Sequence, residues 1–213
     1  MQTDLGLKDK QQEIIEAALE LLNEKGYEGL SVRDIAKKLD MKNPALYWHF
    51  ESKAVLVDYM AEFILRKGMG DFSPREDGQS WQDWLTVHIS LLRKAMLAYT
   101  DGGRVVAGTH LFPAVTLAKL MEYSLASLRS AGFGIREAQS VVLTTIHYTF
   151  GYVIEEQADK RDKENQPKYT IIGIDITNLL EARDAGGTND ENYMEGLRLI
   201  IAGGSGALGE LCE

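Results

Sequence analysis

The chain has 213 residues, of which 45% are apolar and 26% charged, and a formal net charge of −9. That composition supplies a substantial core, while no apolar run approaches the ~20 residues of a membrane-spanning helix and no leader segment opens the chain. A single cysteine, Cys212, excludes an intrachain disulfide and a cysteine-based metal cluster, so a reducing cytoplasm without a membrane partner is the expected setting.

Residues 9–25 carry Ile14, Ile15, Ala18, Leu21 and Leu22 at three- and four-residue steps, the pattern of an amphipathic helix. Gly26 is a stop signal, with Gly29 just beyond. Ser31 reads as an N-cap with Asp34 three residues on, and the helix it opens has Val32, Ile35, Ala36 and Leu39 on one face. Asp40-Met41-Lys42 is a short break. Asn43 then caps "PALYWHF", whose Pro44 sits at the first helical position, where a missing N–H is harmless. Two short helices across a tight turn, braced by a longer one, form a helix-turn-helix pattern. A fourth helix follows over residues 52–69, with Val55, Leu56, Tyr59, Met60, Phe63 and Ile64 as its stripe.

"GDFSPREDGQS" breaks the period at residues 70–80 and separates a small N-terminal module from a larger body. In the body, residues 81–99 are amphipathic and "DGG" interrupts them. Pro113 starts a helix that runs to about Ser130 and ends at "AGFG". A long helix over 135–160, a charged loop "ADKRDKENQPKYT", a helix near 175–183 and a last one over 191–211 complete the chain. The expected fold is all-α with about ten helices, and no strand alternation or repeat is present.

Between Ser31 and Lys53 five cations face three anions, so this segment carries +2 and the rest of the chain −11. A locally basic segment on an acidic body orients a molecule on a polyanion. A solvated helix face accounts for the same charges, and charge alone does not separate the two.

"EGLSVRDIAKKLDMKNPALYWHFESKAVLVDYMA" resembles the DNA-binding module of the TetR family of transcriptional regulators. "SWQDWL", "DGGRVVAGT", "AGFG", "HYTFGYVIEEQ" and "EGLRLIIAGG" are similar, in order, to segments of the ligand-binding body of the tetracycline repressors within that family. Agreement is weakest over 111–130 and 159–170. The resemblance implies a helix-turn-helix domain over 1–53, a connecting helix over 54–70 and a ligand-binding and dimerisation domain over 71–213. It implies a homodimer that enters successive major grooves of a palindromic DNA operator and is released by a small-molecule inducer.

A short recognition helix presents few side chains, so each exposed one matters. Arg33 can fork onto guanine and matches the family's base-reading arginine. Asn43 can cap its helix or read an adenine, and Pro44 and Ala45 suit close approach to a thymine methyl. Tyr47 and His49 resemble family positions that hold phosphates, while Lys42 and Lys53 are expected backbone contacts. Trp48 is expected to brace the recognition helix with its ring buried. Val32 departs from the hydroxyl residue usual there; with Lys42, Asn43 and Ala45 it predicts an operator related to the tetracycline operator but distinct from it.

For the ligand, the resemblance places Val106 where the tetracycline repressors carry a histidine that binds the drug's Mg²⁺. It places Met69 and His88 where a histidine and an asparagine grip the drug, and Ser124 where a glutamine stands. Thr109, His147 and Glu155 are retained, and Leu92 is expected as an apolar wall. With these anchors changed, a hydrophobic, ring-containing inducer is expected, with no cofactor and no Mg²⁺ requirement. A chelate responder using His110 in place of the lost metal ligand is the alternative. An all-helical enzyme is a weaker rival, because the four histidines are scattered and no metalloprotease or cysteine motif is present. Residues 135–160 and 191–211 match the family's dimer helices, with Leu197, Ile200, Ile201, Gly204, Leu208 and Leu211 as the expected apolar face.

Overall fold

The computed structural model describes residues 8–110, 114–162 and 176–210. Pro113, most of the charged loop, Leu211 and Cys212 lie outside the described residues. Ten helices occur among the described residues.

The head consists of α1 (Asp9–Gly29), α2 (Val32–Lys38) and α3 (Asn43–Tyr47). Gly26 has φ 70° and ψ 178°, so the regular part of α1 stops where the sequence places its stop signal. Ser31 caps α2 by accepting the Asp34 N–H at 3.1 Å, and Asp40 takes a left-handed φ of 50° in the turn. The N-cap of α3 is Lys42, without a side-chain cap bond, and Asn43 is the first helical residue. The expected Asn43 cap is therefore corrected by one position, which leaves its amide uncommitted to the helix end. The helix also stops at Tyr47, five residues long, rather than running to Phe50. So short a helix has little stability of its own. It is held by Leu46 and Phe50, each 1% exposed, which belong to the same buried core as Ile14, Ile15, Leu22 and Ile35. Burial of a side chain of that size contributes roughly 1.5–3 kcal/mol.

Helix α4 (Lys53–Met69) is capped by Ser52 and packs on α1 in the head and on the next three helices in the body. Those are α5 (Trp81–Leu97), α6 (Gly102–Ala107) and α7 (Val115–Ser130). Helix α6 is absent from the sequence expectation, in which "DGG" only interrupts. Asp101 adopts φ 53°, and Gly102 then allows the chain to restart against α5; a Cβ there would lie 2.2 Å from the Met96 carbonyl. Helix α8 (Ile135–Asp162) packs on α5, α6, α7 and α10 (Asn189–Glu210). Thr188 and Glu191 form a reciprocal cap at the start of α10, with bonds of 2.8 and 3.2 Å. Helix α9 (Thr177–Ala185) is exposed at every residue whose side chain is described.

The expected apolar face of α10 is corrected in part. Leu197 is fully buried, Ile201 is 8% exposed, and a Cβ on Gly204 would lie 3.1 Å from Val141, so this face belongs to the core of one chain. The outward face instead carries Leu199, Ala202, Gly203 and Gly206. The side chain of Leu208 is not among those described.

Candidate nucleic-acid interface and ligand site

Helices α2 and α3 present a polar and aromatic surface. Arg33, Lys37, Lys42, Asn43, Pro44, Tyr47 and Trp48 are exposed, and Ala45, His49 and Lys53 are half-buried. Trp48 is 88% exposed, which overturns its expected burial: α3 ends one residue earlier, and Leu46 and Phe50 fill the space beneath it. Its indole lies open to solvent and does not brace the helix. Several charges of the head are paired locally. Lys25 meets Asp34 at 2.9 Å and holds that carboxyl below its usual range, while Lys38 pairs with Glu20 and Glu24. The Lys53 ammonium donates to the Leu30 carbonyl at 2.6 Å.

One set of bonds joins this head to the body, and a second joins α4 to it. At one end of α1, the Tyr27 N–H donates to Asp101 at 2.8 Å, and the Thr100 N–H donates to Asn23 at 2.9 Å. Arg104 of α6 pairs with Glu28 at 2.6 Å. From α8, Gln157 steadies the same turn by accepting from the Gly103 N–H and donating to the Tyr99 carbonyl. The second set lies on α4. Asp58 accepts from the Thr109 hydroxyl at 2.8 Å and the His110 N–H at 3.0 Å, and its other oxygen lies 3.1 Å from His110 Nδ1. Glu62 accepts from the N–H and hydroxyl of Thr116, both at 2.8 Å. Burial pushes the Glu62 carboxyl above its usual range against these bonds. Sequence reasoning missed Asp58 and Glu62. The signal was two carboxylates one turn apart, interleaved with the apolar stripe of α4.

The expected ligand residues fall into three groups. Met69, Leu92, Val106 and Ser124 are buried, and the Ser124 hydroxyl is bonded to the Leu120 carbonyl. His88 bonds the Trp84 carbonyl through Nδ1 at 2.7 Å and stacks on the Trp84 ring at 4.0 Å. It also borders a cleft of about 480 Å³ with Phe72, Ser73, Pro74 and Glu76. Thr109 and His110 are bonded to Asp58 and lie at the end of α6. His147 and Glu155 are exposed, on one stripe of α8 with Ser140, Thr144 and Gly151. Within one chain their side chains are open to solvent, unlike the buried group.

The neighbouring Glu156 turns inward. It pairs with Arg93 of α5 at 2.7 Å, and Arg93 reaches Asp190 of α10 at 2.6 Å. Burial raises the Glu156 carboxyl, but hydrogen bonds from Lys160 and Arg93 outweigh it and hold the group below its usual range. Tyr193 lies under the guanidinium at 4.7 Å, and burial pushes its hydroxyl up to about 12. This cluster ties α5, α8 and α10 together. Beside the exposed stripe of α8, a groove of about 560 Å³ is lined by Ser140, Val141, Thr144, Leu199, Ile200 and Gly203.

Among the described residues no group of three or more His, Cys, Asp or Glu is placed to hold a metal, and no helix is long and apolar enough to cross a membrane.

The family model for bacterial regulatory proteins of the tetR family matches residues 14–60. The model for the tetracyclin repressor-like C-terminal domain matches residues 73–205. The chain is 35% identical to the class C tetracycline repressor protein of Escherichia coli over 201 residues, which cover 92% of this chain and 90% of the relative. It is similar to the structure of TetR from Acinetobacter baumannii AYE at 31% identity, with a TM-score of 0.72 over 94% of this chain and 99% of the other. It is also similar to TetR (class A) in complex with 5a,6-anhydrotetracycline and magnesium, at 31% identity and a TM-score of 0.71 over 93% and 98% of the two chains.

Proposed function

Because the chain belongs to the TetR family of bacterial regulatory proteins, we propose that it is a ligand-responsive transcriptional repressor, not an enzyme, acting in the cytoplasm. It binds a palindromic double-stranded operator as a homodimer and is released by a small inducer. Residues 1–53 form the DNA-binding domain, 54–70 the connecting helix and 71–213 the ligand-binding and dimerisation domain. The family matches over 14–60 and 73–205 support the separation of an N-terminal DNA-binding part from the body.

The observation that carries the reading is the surface of α2 and α3, where Arg33, Lys42, Asn43, Pro44, Tyr47 and Trp48 are exposed over the buried Leu46. Arg33 forks onto a guanine, Asn43 reads an adenine, and Pro44 and Ala45 meet a thymine methyl. Tyr47, His49, Lys42 and Lys53 hold phosphates. Trp48 joins them as a direct contact through its exposed ring. A gel-shift series on palindromic duplexes tests this, and equal affinity for scrambled and palindromic DNA would sink it.

The inducer is a hydrophobic ring compound seated among Met69, Leu92, Val106 and Ser124, with His88 and Thr109 for polar contact. The magnesium chelate bound by the class A relative fits these residues poorly. Val106 has no ligating atom and is fully buried, and His110 is turned to Asp58 on α4. His147 and Glu155 are exposed in one chain, so they serve a ligand only across the dimer, along the groove of α8 and α10. No cofactor is needed for this cycle. Calorimetry with tetracycline and Mg²⁺ is expected to give weak or no binding, and tight binding would overturn the assignment of inducer class.

Signal transfer follows from Asp58 and Glu62. They hold the segment after α6 on α4, so a ligand that displaces α6 moves α4 and the recognition helix it carries. A population shift of this kind requires the ligand to bind one arrangement more tightly than the other.

A further inference from the structure

Tyr27 is the residue of the head that touches both a body helix and a proposed phosphate contact. Its N–H donates to Asp101, and the Arg104 guanidinium of α6 lies 5.1 Å from its ring centroid. The Lys53 ammonium lies 5.6 Å from the same ring. That ammonium also donates to the Leu30 carbonyl at 2.6 Å, and the Leu30 N–H donates back to the Tyr27 carbonyl at 3.3 Å. Ring, turn and lysine therefore form one connected unit at the start of α4.

A long cationic side chain loses rotamer freedom when it grips a phosphate, and one already held has lost that freedom before the encounter. An ammonium has three N–H donors, and Leu30 takes one, so the others are free to reach a phosphate oxygen. The ring face attracts the cation electrostatically and limits where it can swing. Arg104 stays beside the ring because Glu28 pairs with it at 2.6 Å.

We infer that Tyr27 is a positioning residue that presets the Lys53 ammonium for a DNA phosphate and, through Arg104 and Asp101, makes that contact sensitive to the placement of α6. This is a route from body to operator separate from the Asp58 and Glu62 bonds on α4. It rests on the proposed role of Lys53 as a phosphate contact.

The test uses the full-length, inducer-free dimer on an operator duplex selected from a randomised library, with affinity measured across a salt series. Lys53→Met is expected to weaken binding about tenfold and to lower the salt slope by about two phosphate contacts per dimer, one per protomer. Tyr27→Leu and Tyr27→Met are expected to reproduce most of that loss and the lowered slope. The double variant with Lys53→Met should be no weaker than Lys53→Met alone, since a shared interaction is lost only once. Tyr27→Phe keeps a ring face and should stay within about twofold of the parent. Arg104→Leu should weaken the parent about threefold and leave the Tyr27→Leu background unchanged.

Thermal melts of each variant identify any that fails to fold, and Arg104→Leu in the parent tests the inference without the ring-free variants: binding equal to the parent's would overturn it. Full additivity of Tyr27→Leu with Lys53→Met, an unchanged salt slope in Tyr27→Leu, or a Phe variant as weak as the Leu one would overturn the inference while leaving Lys53 at the phosphate. A Lys53→Met protein that binds like the parent removes the phosphate contact and the inference with it.

Discussion

Arg93 offers the sharpest test of what holds the body together. The Arg93→Met substitution keeps an unbranched apolar stem and removes the guanidinium that joins Glu156 on α8 to Asp190 on α10. The two bonds differ in worth. Asp190 has a side chain 81% exposed, so its pair contributes about 0–1 kcal/mol. Glu156 is 6% exposed, and stranding a buried partner costs roughly 3–5 kcal/mol. The exposed Lys160 still reaches Glu156 at 3.0 Å, which favours the low end of that range. Loss of the cation over Tyr193 adds about 1 kcal/mol. A total of about 4–5 kcal/mol corresponds to a fall in melting temperature of roughly 8–20 °C for a chain of this size. Circular dichroism melts at matched protein concentration measure it.

The same cluster has a defined pH signature. Glu156 titrates below its ordinary value in the folded chain, so its contribution is present above the unfolded value and is lost as pH falls through the folded one. The gap between parent and variant should therefore narrow in acid. Pairing Arg93→Met with Glu156→Leu should recover much of the loss, because a fully apolar replacement strands no charge. A variant within about 2 °C of the parent at neutral pH, with no narrowing in acid, would refute the reasoning.

Other outcomes follow from the same geometry. Glu62 titrates above its ordinary value because of burial, so the stability it contributes is present in acid and lost as pH rises through its folded value. Glu62→Gln should accordingly gain stability relative to the parent as pH rises from about 4 to 7, and a constant difference across that window would contradict this. Trp48→Ala removes an exposed ring, so the melting temperature should move by less than about 2 °C while operator affinity in a gel shift falls about tenfold; the reverse pattern would restore the bracing role. Gly203 has open space around it within one chain, so Gly203→Arg should leave each protomer folded by circular dichroism yet yield monomers by light scattering. A stable dimer of that variant would move the interface elsewhere.

Much of the fold was legible because its signals are local. Ser31, Ser52 and Ser80 each accept the N–H three residues on, and each opens a helix where periodicity begins. Gly26 and Gly70 end helices with positive φ. The helix-turn-helix was readable for the same reason. Helix α6 was not, because its six residues carry too little periodicity, and it exists through the close approach of Gly102 to the Met96 carbonyl and the bonds to Gln157.

Side-chain direction is where sequence reading stopped. Glu155 and Glu156 are adjacent and chemically alike, yet only the second faces inward, because Arg93, itself held by Asp190, meets it from a distant part of the chain. Leu197 and Leu199 share one apolar helix, and packing against α8 buries the first and leaves the second outside. Trp48 has the composition of a core residue, but Leu46 and Phe50 already occupy the space beneath α3. Local signals specify most of the helical segments, among them the two short helices of the helix-turn-helix, since capping and periodicity act within a few residues. Which face of each helix is interior, which carboxylates are paired and which aromatic ring stays exposed were settled by packing, since those depend on groups that meet only when the chain has folded.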